Sequence, residues 1–173
     1  ASGVAGVFGG ALCDDVKCPP DAEWTQPADG PVGSTFRSEE RPDHDGVDLL
    51  AERGAEVVAA SAGVVTTSIC QASKDGDDYG CDRDGSWEVL GCGWFVKIRH
   101  AHDVATMYCH FGQQPEVEIG DAVTTGQLLG YVGSTGNSSE PHLHFETQTG
   151  GNFGSTGAVD PVDFMADRDA PLE

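Results

Sequence analysis

Basic residues are scarce in this chain: 9 Lys and Arg stand against 29 Asp and Glu in 173 residues, a net charge of −20. A surface of that sign repels phosphate backbones and anionic headgroups, which excludes nucleic acid as a partner. The acidity reads either as solubility or as attraction for a cationic substrate. Several signatures are missing as well. There is no His-Glu-x-x-His helix, so the usual Glu base of a zinc peptidase of that plan is absent. No Gly-x-Ser-x-Gly elbow is present, which removes the common serine hydrolase plan. The lack of a paired Cys-x-x-Cys argues against a zinc finger. The Gly-rich start, Ala1 to Leu12, has no basic segment and no apolar run near the ~20 residues of a membrane span. It reads as neither signal peptide nor anchor, no membrane insertion is expected, and the chain is expected to be a mature or trimmed piece.

What is abundant is glycine, 24 residues, together with 9 prolines and many short Val-rich runs between Gly, Asp and Asn. That pattern predicts a mostly β protein: compact antiparallel sheets forming a groove, disulfide-stapled loops and few short helices. An irregular arm over residues 1–30, a main domain over 31–165 and a tail over 166–173 are expected. Residues 57–62 and 63–69 read as two strands joined tightly at Ser61-Ala62-Gly63. Trp94 to Arg99 and Ala105 to Tyr108 read as a hairpin with His100 and His102 exposed at its tip. Gln71 to Gly91 reads as a long solvated loop, whose Asp75, Asp77, Asp78, Asp82 and Asp84 lack the spacing of an EF-hand. Leu49 and Leu50 are expected in the core. The even set of six cysteines predicts disulfides and an oxidising compartment. Cys13 and Cys18 suit a local loop. For the rest, Cys70 with Cys81 plus Cys92 with Cys109 stands beside the crossed alternative.

The chemistry concentrates at Pro141-His142-Leu143-His144-Phe145-Glu146. Its period-2 alternation puts both imidazoles on one face of a strand and Leu143 and Phe145 on the other. Upstream, His44-Asp45-Gly46-Val47-Asp48 supplies another histidine and a carboxylate, with Gly46 where the backbone must turn or approach closely. A third element, Tyr108-Cys109-His110-Phe111, adds His110. Zinc takes imidazole nitrogen and carboxylate oxygen in a tetrahedral site, and a catalytic site keeps one position open. The Gly133-to-Ser138 loop lacks the Lys and following helix of a phosphate cradle.

The order His44-x-x-x-Asp48, Tyr108-x-His110, Gly133-Ser134-Thr135-Gly136-Asn137-Ser138 and Pro141-His142-Leu143-His144-Phe145-Glu146 resembles the lysostaphin-type (LytM-type) zinc endopeptidases that cut peptidoglycan peptides. The likeness covers roughly residues 30 to 165. It implies one zinc ion per chain held by His44, Asp48 and His144, with His110 and His142 as catalytic histidines. His142 is then expected as general base, with His110 binding the oxyanion or sharing the proton work. Arg37 is a possible neighbour of the site, and Tyr108 a possible assistant or a core residue. Glu140 departs from the small residue usual before Pro-His-Leu-His, which bears on local charge and substrate preference. The resemblance further implies peptidoglycan peptides as partner, an extracytoplasmic place and a monomer. Two other classes stand beside it: a non-catalytic wall-binding or activating module, and a structural domain in which metal only staples the fold.

Overall fold

The computed structural model describes residues 13–173; the reading of Ala1 to Leu12 lies outside them. Ten strands follow in chain order: β1 Val47–Leu49, β2 Glu56–Val58, β3 Gly63–Lys74, β4 Asp77–Asp78, β5 Leu90–His100, β6 Val104–Phe111, β7 Ala122–Val123, β8 Leu128–Tyr131, β9 Leu143–Gln148 and β10 Ala158–Val159. Among the described residues a 3₁₀ turn, Ser155–Gly157, precedes β10 and one α-helix, α1 Pro161–Ala166, closes the fold; the Asp160 side chain caps it by accepting from the Val162 N–H. The main sheet runs β1-β9-β6-β5-β3-β4, with β10 on β9 and β7 on β3, while β2 and β8 form a separate pair. Every pairing is antiparallel.

One face of the main sheet carries the core. Val47 and Leu49, Val96 and Ile98, and Leu143 and Phe145 are each fully buried and belong to one cluster with Val57, Leu129, Phe164 and Met165. Each such side chain contributes about 1.5–3 kcal/mol on leaving water. The alternate residues of β1 and β9 therefore face the other way, and that second face bears the polar cluster described below.

Several expectations need correction. The segment from Gln71 is not a loop throughout, because β3 continues to Lys74 and returns as β4 around Asp75-Gly76, both at positive φ (53° and 84°). A two-residue turn with both φ positive matches strand twist, and Asp-Gly is its favoured sequence. The strands flanking Ser61-Ala62-Gly63 exist, but β2 pairs with β8 rather than with β3. Leu50 is 44% exposed, since β1 ends at Leu49 and the chain then turns outward. The β5–β6 hairpin is as expected, yet His100 is buried at its end, continuing the inward series Val96, Ile98; His102 is exposed. Cys13–Cys18 and Cys70–Cys81 are disulfides, whereas Cys92 and Cys109 are thiols, which rules out the crossed pairing.

Candidate active site

Alternation in β1 and β9 builds the centre. Asp48 lies directly opposite His144, and Val47 and Leu49 beside it pair with Phe145 and Leu143 on the core face. Gly46 lets these strands approach, since a Cβ there would lie 2.3 Å from the Phe145 carbonyl oxygen. Its φ is not in the left-handed region, so close approach is its reason. His44 precedes β1 in a turn whose N–H donates to Arg41 O and whose carbonyl accepts from Arg37 N–H.

His110 needs a further device. By alternation it would share the core face with Tyr108. Between the Trp94–Phe111 and Val96–Tyr108 pairs, however, Phe95 on β5 opposes two residues on β6, a bulge, and His110 itself has φ 74°. A bulge re-aims a side chain, and here it turns the imidazole toward His142, with ring centroids 4.8 Å apart.

Each imidazole is held from behind. His44 Nδ1–H donates to Thr35 O (2.9 Å), His110 Nδ1–H to Thr135 O (2.7 Å) and His142 Nδ1–H to Glu140 O (2.9 Å). His144 is turned round: its Nε2–H donates to Glu146 Oε1 (2.9 Å), leaving Nδ1 inward. Three potential ligand atoms then converge. His44 Nε2 is 3.0 Å from Asp48 Oδ1 and 3.2 Å from His144 Nδ1, and the last two are 3.1 Å apart. Ligands of a tetrahedral zinc at ~2.0–2.1 Å stand roughly 3.3 Å from one another, so this triangle has the size of one face of such a tetrahedron. Among the described residues no other group of His, Cys, Asp and Glu lies close enough to share an ion.

The electrostatics agree with that demand for positive charge. Burial disfavours charge on Asp48, yet hydrogen bonds from His144 and His44 hold its carboxyl well below the usual range. Burial likewise opposes charge on His144, but Asp48 and Glu146 on either side raise its pKa to about 10. His110 goes the other way: burial, then the neighbouring His142 and His144, lower it to about 3, so it is a neutral imidazole with its lone pair on Nε2.

These residues open into a groove of about 580 Å³, also lined by Leu50, Trp87, Cys92, Asn137 and Glu140. Arg37 is not part of it; it pairs with Asp45 at 3.0 Å and donates to Ser155 O on the outside. The guanidinium at the centre is instead that of Arg41, whose Nη1 donates to Asp48 Oδ2 at 3.0 Å. Tyr108 is wholly buried and bonded to Ala60 N and Thr106 Oγ1, a core residue. Glu146, behind His144, had a readable signal: two residues on, it shares the histidine's face. Arg41 had none, because it reaches Asp48 from an irregular turn.

An antiparallel sheet that gathers two histidines and a carboxylate at the head of a groove defines a metallohydrolase type of site. Residues 42–161 match the model of Peptidase family M23, and the chain belongs to that family. It is 36% identical over 108 residues to the DD-carboxypeptidase/endopeptidase Mpg of Neisseria meningitidis, covering 62% of this chain and 20% of that protein. To the peptidoglycan DD-endopeptidase ShyC of Vibrio cholerae it is 34% identical over 103 residues, 60% of this chain and 19% of that one. The structure of the antimicrobial peptidase lysostaphin from Staphylococcus simulans superposes with a TM-score of 0.63 at 27% identity, covering 80% of this chain and 50% of that chain. The chain thus spans about a fifth of the length of the curated relatives it matches.

Proposed function

We propose that the chain is a zinc-dependent endopeptidase that hydrolyses peptide bonds in bacterial peptidoglycan stem peptides or crossbridges. The observation that carries this reading is the triangle of ligand atoms from His44, Asp48 and His144, with the Nε2 atoms of two further histidines facing the same groove. In it, those three residues hold one zinc ion. A bound zinc ion polarises a carbonyl and lowers the pKa of water from about 15.7 to about 7.

The protein's own groups supply the proton transfers. His142 Nε2 stands 3.5 Å from Asp48 Oδ1, and its Nδ1–H is spent on Glu140 O, so Nε2 is the basic atom. It takes the proton of the attacking water and returns it to the leaving amine. His110, neutral and tied at Nδ1, also presents a lone pair, which supports a share in proton transfer over donation to an oxyanion. Arg41 holds Asp48 by one oxygen and leaves the other to the triangle.

Residues 31–165 are the catalytic unit in this reading, with 1–30 and 166–173 flanking it. All five functional side chains come from one chain, which supports a monomer. The two disulfides support an extracytoplasmic place, secreted, periplasmic or bound to the wall. No helix among the described residues is long and apolar enough to cross a membrane. Mass spectrometry of muropeptides after digestion of purified sacculi tests the proposal. New amine and carboxyl ends are expected with zinc and not with chelator; intact muropeptides in both would overturn it.

A further inference from the structure

The groove holds one carboxylate that the metal centre does not use. Glu140 lies two residues before His142, and its backbone is fixed there: its carbonyl accepts from His142 Nδ1 at 2.9 Å and from Ser138 Oγ at 2.8 Å. Its side chain is exposed on the groove wall. Among the described residues no hydrogen bond or ion pair engages that carboxylate. The other charges of the wall are spoken for, since Arg41 is paired with Asp48 and Asp48 belongs to the triangle.

On the same rim stands Trp87, 76% exposed. A large aromatic ring left in water lacks a partner, and this one is not on a loose loop. Asn137 Nδ2 donates to Val89 O at 2.8 Å and to Trp87 O at 3.4 Å, and Asn137 N–H to Gly91 O at 2.8 Å. Gly85 N–H donates to Ser134 O at 2.8 Å, and the loops are so close that a Cβ on Gly85 would lie 1.6 Å from the Gly136 oxygen. Arg53 grips Asp84 from outside through both nitrogens, at 3.0 and 2.7 Å. The loop bearing Trp87 and the loop bearing Glu140 therefore form one rigid rim. An unpaired carboxylate on a fixed backbone and an exposed aromatic face, lining the same groove as the catalytic histidine, are the two elements that bind a cationic head group.

We propose that Glu140 and Trp87 form a subsite for a primary ammonium group of the peptide beside the bond to be cut. The inference rests on the peptidase reading above and narrows its substrate class to peptides carrying a free amine. The net charge of −20 serves the same end by drawing cationic peptide toward the groove.

The test compares zinc-loaded protein on purified sacculi with free amines intact and on the same sacculi after N-acetylation, reading initial release of soluble muropeptides. Intact sacculi should be cut about five- to tenfold faster, the worth of one partly exposed charge contact with an aromatic cover. Glu140→Gln should bring that ratio near one, Glu140→Lys below one, and Trp87→Ala should narrow it part of the way. Any steric effect of acetylation persists in Glu140→Gln and so does not imitate the result. Equal rates for the unmodified protein, or a ratio that Glu140→Gln leaves unchanged, would overturn the subsite alone. Protein that holds its zinc yet cuts neither preparation refutes the peptidase reading, and the subsite falls with it.

Discussion

Histidine is buried in two places in this molecule, alone at His100 and as a cluster at the groove, and the two differ in where their protons go. Around His100 the hydrogen bonds close into a chain: Ala60 N–H donates to Tyr108 Oη, Tyr108 O–H to Thr106 Oγ1, Thr106 O–H to His100 Nε2, and His100 Nδ1–H to Ala62 O. Every acceptor has its donor, no carboxylate takes part, and burial lowers the His100 pKa to about 4. At the groove the His44 Nδ1–H and His144 Nε2–H point outward, to Thr35 O and Glu146, and His44 Nε2, Asp48 Oδ1 and His144 Nδ1 meet as three ligand atoms, with only protons shared with Asp48 between them in the ion-free protein. There His144 rises to about 10. Burial of a histidine thus does not mark a site. Convergent ligand atoms that include a carboxylate do.

The strongest way to break the comparison is to remove the carboxylate. Asp48→Ala takes one corner from the triangle, and stoichiometric zinc should be lost together with more than ~100-fold of activity. Elemental analysis after gel filtration reads the metal; a full complement in the variant would refute the ligand assignment. His142→Ala is the counterpart. It should keep its zinc and lose about 10²–10⁴-fold in turnover, the usual worth of a general base. Metal loss in that variant would mean that the two histidines of His142-Leu143-His144 have exchanged roles.

The sheet and the cluster were readable because both rest on alternation. Leu143 and Phe145 inward fixes His142 and His144 outward, and Val47 and Leu49 inward does the same for Asp48. The same rule, carried one residue further along β5, would have put His100 inside with Val96 and Ile98; reading His100 as part of a turn hid it. Asp75-Gly76 was a turn signal masked by the acidity around it. His110 illustrates the reverse, since alternation alone sends it into the core and only the bulge with φ 74° delivers it. Arg41, Leu50 and the unbonded state of Cys92 and Cys109 depend on how irregular segments and separate strands meet in space, which local pattern does not encode.

Titration sharpens the contrast. His100 is held at about 4, below its ordinary ~6.5, so the unfolded chain binds more protons between those values. Its contribution is complete above ~pH 6.5 and is lost as the pH falls toward 4, by on the order of 3 kcal/mol. In ion-free protein His144 has the opposite sign, its contribution being complete below ~pH 6.5 and lost as the pH rises through about 10. Urea unfolding of chelated His100→Gln beside chelated parent isolates the first group, because His144 is common to both. The gap between the two stabilities should shrink from pH 7 to pH 4, and a constant gap would show that His100 is not buried neutral.

A smaller effect on the metal centre is expected at Glu146, which gives the groove histidine the carboxylate that His100 lacks. Its Oε1 accepts from His144 Nε2–H and its Oε2 from Gln148 Nε2, both at 2.9 Å, while Gln148 Oε1 is buried and has no partner among the described residues. Glu146→Gln replaces one of two acceptor oxygens with an NH₂. Whichever way the new amide turns, a donor then faces either the imidazole N–H or the Gln148 amide, and the charge that steadies His144 is gone. Zinc affinity should fall about 10–100-fold, the range typical when the partner of a metal-bound imidazole is altered. Competition against a chromophoric chelator measures it, with the urea stability of the chelated variant as a control for folding. Affinity within twofold of the parent would mean that the strand alone, through the Asp48–His144 pairing, orients the ring.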